Sequence, residues 1–221
     1  MNFINHNWNI SIEKAIEIQQ YLSPQIEIGE KINLCEIKTV AGFDVSYKNN
    51  YGKAAIVVFS FPEMVLLDQI VVVSPIIFPY IPGLLSFREG PIILAAIEKL
   101  KNLPDLLIFD GQGYAHPRRF GLASHMGLYL NRPSIGCAKT RLIGNYNEPG
   151  SNVGDYSYLY DSETLEIIGA VVRTKQNVKP LFVSVGYKID LSDAIKVIIK
   201  CIQGYRLPEP IRQADILAAS G

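Results

Sequence analysis

The sequence predicts an α/β fold built on a mixed β-sheet with helices on both faces. Early strand-like stretches are joined by a break short enough for a hairpin, and later strands alternate with helical segments. Short apolar runs such as Leu106-Leu107-Ile108-Phe109 end in glycine-containing turns, as buried strands do. With 221 residues, 48% of them hydrophobic, and a positive mean hydropathy, the chain can bury one substantial core. No Ser-rich, Gln-rich or charge-block segment divides it, so residues 1–221 read as one domain.

The first helix is expected from Ser11 to about Tyr21, with Ala15, Ile18, Tyr21 and Leu22 on one face. Three strands follow: one carrying Asp44, one from Lys53 to Phe61 and one from Met64 to Val73, the last two joined across Pro62-Glu63. A proline-rich stretch, Pro75 to Gly83, precedes a helix from about Leu84 to Leu100, and the Leu106–Phe109 strand comes next. A helix around Gly121 to Leu130 leads to a strand at Ser134 to Ala138 and then to polar loops. Tyr156–Tyr160 and Leu165–Arg173 read as a second hairpin, and Leu181–Val185 as a late strand. Ser192 is expected to cap a helix whose stripe is Ile195, Ile198, Ile199 and Ile202. A last helix starts near Glu209-Pro210, proline being favoured in a first turn.

Bulk properties exclude several classes. Cys35, Cys137 and Cys201 are far apart and lack zinc-site spacing, so they read as reduced core residues of an intracellular, cytoplasmic protein. Neither a signal peptide nor a membrane span is expected, because the apolar stretch from Ala54 to Ile77 is broken by Pro62, Glu63, Asp68 and Pro75. The 21 basic and 21 acidic residues cancel, which argues weakly against nucleic acid. Their distribution argues the other way. From Gly111 through Asn147 there is no Asp or Glu, while Arg118, Arg119, Arg132, Lys139, Arg141, His116 and His125 all fall there. Such a segment suits a polyanion bound across a metal site, or is a solvated face that lacks acids.

The acids themselves are the strongest signal. Asp110 closes an apolar strand and is followed by Gly111-Gln112-Gly113, so a carboxylate stands where open α/β sheets place ligands. Asp44 occupies a strand position where an apolar residue is expected. The stripe Ile93, Ala96, Ile97, Leu100 extrapolates back one turn to Glu89, which therefore faces the core; capping its own helix or pairing with Arg88 is the alternative. Ile211, Asp215 and Ala218 share an apolar face on the last helix. Four converging carboxylates repel unless cations compensate, and an all-oxygen set suits Mg²⁺ or Mn²⁺ rather than zinc. Such a site activates water for in-line attack on phosphorus. His116 could reach the water or the leaving oxygen, and Lys139, directly after a strand, could aim its ammonium at the same mouth; the alternatives are a structural histidine and a surface lysine.

These residues resemble a known family. Gly42-Phe43-Asp44-Val45-Ser46-Tyr47, Pro79-Tyr80-Ile81-Pro82-Gly83-Leu84-Leu85-Ser86-Phe87-Arg88-Glu89, Asp110-Gly111-Gln112-Gly113, Ala115 to His125, Gly136-Cys137-Ala138-Lys139 and Leu207-Pro208-Glu209-Pro210 resemble the motifs of endonuclease V across nearly the whole chain. Asp-Gly-x-Gly alone is a weak signal; the ordered set is specific. The resemblance implies a ribonuclease H-like fold with Asp44, Glu89, Asp110 and Asp215 as metal-site acids, Asp215 at a position that varies between Asp and His. It implies cleavage of the second phosphodiester 3′ to deoxyinosine, leaving 3′-hydroxyl and 5′-phosphate ends, with Mg²⁺ and with Mn²⁺ as a substitute. DNA containing deoxyinosine is the implied partner, with inosine-containing RNA as the alternative, and the protein is expected to act as a monomer away from membranes.

Residue by residue, the resemblance makes Pro79, Tyr80, Ile81, Pro82 and Gly83 a wedge that stacks into the duplex. It lines the pocket for the flipped base with Gly83, Leu85, Gly111 and Gly113, and places Arg88, Arg118, Arg119, His125 and Arg141 along the DNA backbone. One departure is Gly186-Tyr187, where many relatives carry Gly-His, which puts a DNA-contacting role for that loop in doubt. Competing readings are a structure-directed nuclease of the resolvase type, which would need no tyrosine wedge, and a catalytically silent binding module. A dinucleotide-binding dehydrogenase is disfavoured, because Gly111-Gln112-Gly113 lacks the third glycine of its fingerprint.

Overall fold

The computed structural model describes residues 6 to 220. Eight strands, β1 (Thr39–Lys48), β2 (Tyr51–Ser60), β3 (Leu66–Pro75), β4 (Leu106–Phe109), β5 (Ser134–Ala138), β6 (Tyr156–Tyr160), β7 (Ile167–Val172) and β8 (Leu181–Tyr187), form one sheet. Helices α1 (Ile12–Leu22), α2 (Leu85–Ile97), α3 (Leu122–Leu130), α4 (Leu191–Lys200) and α5 (Glu209–Ala219) surround it. The strand order is β3-β2-β1-β4-β5-β8-β7-β6. The first three strands make an antiparallel meander, β4 and β5 run parallel to β1, and β8, β7 and β6 continue antiparallel.

Burial follows position in the sheet. Every residue of β4, β5 and β8 is buried because helices cover both faces there, whereas the edge strand β3 alternates. On one face Val40, Val57, Leu106, Ile108, Ile135 and Cys137 pack against Ile195 and Ile198 of α4 and Ile211, Ala214 and Ala218 of α5. On the other, Ala41, Phe43, Ile56, Leu107 and Phe109 meet Ile92, Ile93 and Ala96 of α2 and Leu122, Ala123 and Met126 of α3. Each fully buried Ile, Leu or Phe contributes roughly 1.5–3 kcal/mol of burial free energy. The period-two alternation also assigns Asp44 and Asp110 to the face that α5 covers.

Several local expectations change. Tyr21 is 74% exposed, and Gln19 takes the inward place on α1, where its amide donates to the carbonyls of Gly83 and Phe120, both at 3.0 Å. The cap of α4 is Asp190, which accepts from the amide of Asp193 at 2.6 Å, so Ser192 lies inside the helix and Ile202 beyond it. Cys35 is exposed, unlike the buried Cys137 and Cys201. No helix among the described residues is long and apolar enough to cross a membrane.

Candidate active site

β1 and β4 pair in parallel, Gly42 with Ile108 and Phe43 with Phe109, and the amide of Asp110 donates to Phe43 O at 3.1 Å. Asp44, midway along β1, and Asp110, just past the end of β4, are the next residues along and stand side by side. α5 supplies the third acid. A Cβ on Gly42 would lie 2.1 Å from the carbonyl carbon of Pro210, so only glycine lets the first turn of α5 rest on β1. Ile211, Ala214 and Ala218 make the buried face of that helix, and Asp215 flanks it half-exposed. Asp44, Asp110 and Asp215 each offer a carboxylate oxygen within 4.8 Å of the others.

Lys139, just past β5, joins them. Its Nζ lies 2.6 Å from Asp110 Oδ2 and 2.6 Å from Asp215 Oδ1, so it is not a free surface lysine. Burial works against its charge, but these carboxylates hold its pKa above the usual value. One ammonium cannot offset three acids. Burial, then the field of Asp110, pushes Asp44 up to about 7, even against Lys139. An all-oxygen cluster left short of positive charge fits a hard divalent cation.

Glu89 stands beside this group rather than within it. It is buried on α2, where Tyr47 donates its hydroxyl to Oε1, and the guanidinium of Arg88 lies 4.5 Å over the Tyr47 ring. Burial pushes the Glu89 carboxyl up to about 8, against the Tyr47 hydrogen bond; Asp44 and Asp110 add to the rise. Arg88 also donates to Phe78 O at 2.8 Å, tying α2 to the Pro79–Gly83 segment instead of projecting freely.

A cavity of about 390 Å³ opens beside Asp110 and Lys139, walled by Gly83, Leu85, Gly111, Gln112 and Leu142, with the exposed Tyr80 and Pro82 and the partly buried Ile81 at its rim. Gly113 is not part of it. A Cβ there would stand 2.2 Å from Val185 O, and its amide donates to Ser184 Oγ at 2.9 Å, so Gly113 is packed behind the cavity wall.

Other expectations are corrected by burial and pairing. His116 Nδ1 accepts from the amides of Arg118 and Phe120, so Nε2 carries the proton and donates to Gly83 O at 2.8 Å. Burial drives its pKa down to about 4, so the ring is neutral and, with both nitrogens engaged, braces Gly83 beside the cavity. His125 cannot touch DNA, being wholly buried and stacked on Trp8. His6 donates from Nδ1 to Asn7 O, accepts at Nε2 from His125 at 2.8 Å, and leaves His125 Nδ1 to accept from Ser86 Oγ at 3.0 Å. Arg118 is bound to Gln19 and Gly83 O, and Arg119 pairs with Asp161 and Glu166. The acid-free segment is therefore not one cationic patch, and Arg132 leads into the far end of β5. Arg141 is exposed at the cavity, donating to Gly144 O. Tyr187 is buried at that same far end of the sheet, its hydroxyl donating to Glu27 at 2.8 Å.

The site residues that pattern reasoning missed are Tyr47, Gln19 and Gln112. Tyr47 had a readable signal, since it lies inside the Asp44 strand at the same parity as Phe43 and Val45, the face that α2 covers. Neutral amides such as Gln19 and Gln112 carry no charge pattern.

Comparison with known proteins places nearly the whole chain among relatives of one family. The sequence model of endonuclease V covers residues 20–216. The endonuclease V of Methanothrix thermoacetophila is 48% identical over 213 residues, 96% of this chain and 93% of that protein. The crystal structure of the Bacillus subtilis enzyme superposes with a TM-score of 0.91 at 33% identity, covering 98% of this chain and 94% of the other. That of Ciona intestinalis endonuclease V, in complex with a 24mer DNA containing an inosine followed by a ribo-adenosine, gives 0.82 at 30%, covering 94% and 95%. The sheet order and flanking helices agree with the ribonuclease H-like α/β fold expected from the sequence.

Proposed function

This chain belongs to the endonuclease V family and is an endonuclease, and we propose on that premise that it incises DNA at deoxyinosine. The proposed cut is at the second phosphodiester 3′ to the lesion, leaving 3′-hydroxyl and 5′-phosphate ends. The observation that carries this reading is the meeting of two features beside the end of β4: three carboxylates within 4.8 Å of one another, and a cavity of about 390 Å³ sharing Asp110 as its wall. The Ciona structure, with inosine-containing DNA bound to a protein of the same fold, supports the choice of substrate.

Asp44, Asp110 and Asp215 would hold Mg²⁺, or Mn²⁺ in its place, with Glu89 beside them. When bound, that ion supplies Lewis acidity for phosphodiester hydrolysis. The protein's own groups do the rest. Lys139 presents an ammonium at the junction of acids and cavity, where negative charge grows on phosphate oxygens during the cut. Tyr80, exposed at the rim, stacks into the gap left by the extruded base, and the Pro79–Gly83 backbone keeps it in place. Arg88 couples that segment to the helix bearing Glu89, and His116 with Arg118 fixes Gly83 against the cavity. On the same proposal, and following the family resemblance, the enzyme acts as a monomer in the cytoplasm.

The test is incubation with a labelled deoxyinosine duplex and Mg²⁺ beside the Asp110→Ala variant. Wild-type nicking that the variant loses is the expected result. Nicking by Asp110→Ala at the wild-type rate, or none by either protein with any divalent metal, overturns the proposal. A matched ribo-inosine strand in the same assay measures sugar preference, to which carboxylates are indifferent.

A further inference from the structure

Gln112 lies in the cavity wall between Gly111 and the Gly113 turn. Its backbone is pinned. The carbonyl accepts from the amide of Ala123 at 3.0 Å, and Gly121 and Gly136 press so closely that a Cβ on them would come within 2.3 Å of its oxygen and 2.7 Å of its carbon. The side chain is oriented as firmly. Thr140 O can only accept, so Nε2 faces it at 3.0 Å and Oε1 is held on the other side. Oε1 is buried and has no hydrogen-bond partner among the described residues, in a residue only 8% exposed. Buried acceptors without donors are scarce in folded proteins, and one in a cavity wall marks where a ligand's donor completes the set.

We propose that Gln112 Oε1 accepts the N1–H of the flipped base and so selects hypoxanthine over adenine, an assignment that rests on the function proposed above. The two purines differ at that atom. Hypoxanthine, a 6-oxopurine, carries a proton on N1, whereas adenine presents a lone pair there and would set acceptor against acceptor. Because Thr140 prevents the amide from turning over, Gln112 cannot offer its NH₂ group to adenine instead.

Gln112→Leu keeps the bulk and removes the acceptor; Gln112→Met does so with an unbranched chain, so a packing fault peculiar to either variant is exposed by the other. Thermal melting reports folding of both. Single-turnover nicking of the deoxyinosine duplex should fall about 10- to 100-fold in both variants. Competition by a duplex containing 2′-deoxynebularine, a purine with neither N1–H nor O6, should strengthen by about 2- to 10-fold in both variants, since its N1 lone pair no longer faces the Oε1 acceptor. Equal weakening toward both bases, or undiminished nicking of deoxyinosine, overturns the assignment while the wild type cuts. A wild type that leaves deoxyinosine uncut overturns the proposed function and this assignment with it.

Discussion

Lys139 Nζ and Asp110 Oδ2 are 2.6 Å apart, and the same ammonium is equally close to Asp215, so a lysine at the end of β5 is the resident cation of an acidic cluster. Removing it leaves like charges facing one another. Lys139→Ala should lower stability in EDTA by about 1 kcal/mol, a modest figure because the pair is partly exposed and screened by solvent. Nicking should fall by at least about 100-fold, as losses of a charge-stabilising donor do. Denaturant melts and single-turnover assays read the two effects separately, and a variant that cuts at the wild-type rate excludes Lys139 from the chemistry.

The raised carboxyls predict how metal and pH interact. Asp44 at about 7 and Glu89 at about 8 keep their protons in the metal-free fold at pH values where the unfolded chain has released them. The unfolded state then binds fewer protons, so metal-free stability falls as pH rises from about 4 to about 8. A bound dication removes that penalty. Mg²⁺ or Mn²⁺ should therefore raise the melting temperature more at pH 8 than at pH 5.5, by roughly 4–8 °C if the difference is about 2 kcal/mol. Equal shifts at both pH values would show that the acids are not what the ion relieves.

What could be read beforehand depended on whether a residue's role follows from periodicity. β5 and β6 begin and end where their apolar and aromatic runs do, and strand parity with helical phase was enough to bring Asp44, Asp110 and Asp215 together. His125 misled because a histidine counts toward a cationic surface only when hydrated, and Trp8, distant in sequence, seals it from water. Arg118 and Arg119 misled in the same way, since their partners Gln19, Asp161 and Glu166 come from other elements. Gly113 and Gly111 look alike in sequence; only the approach of β8 at Val185 O tells the packing glycine from the one that lines the cavity.

Tyr80 is 67% exposed at the cavity rim, an expensive place for an aromatic ring unless a partner covers it. Tyr80→Ala should reduce nicking of duplex deoxyinosine by about 10- to 100-fold, because unstacking a base costs a few kcal/mol that the ring offsets. A single strand has less stacking to break, so its loss should be smaller, and Tyr80→Phe should retain most activity on both. Comparing duplex with single-stranded substrate across the two variants decides the matter. Equal losses on both substrates would mean the ring holds the rim together and does not act as a wedge.

Gly42 tests whether helix placement builds the acidic cluster. A Cβ there meets backbone on three sides, Pro210 carbon at 2.1 Å, Pro210 oxygen at 2.2 Å and Ile211 nitrogen at 2.5 Å, and backbone cannot swing aside as a side chain can. Gly42→Ala must lift the first turn of α5 from β1, costing on the order of 3 kcal/mol. Asp215 rides on that helix, so Mn²⁺ affinity should weaken together with stability, although no carboxylate has been altered. Gly29 provides the contrast: its φ of +82° strains an alanine, but nothing lies within 4 Å, so Gly29→Ala should cost about 1 kcal/mol and leave metal binding unchanged. Calorimetric titration of both variants distinguishes the outcomes. Undiminished Mn²⁺ binding in a folded Gly42→Ala protein would show that the position of α5 on β1 does not set the geometry of the acids.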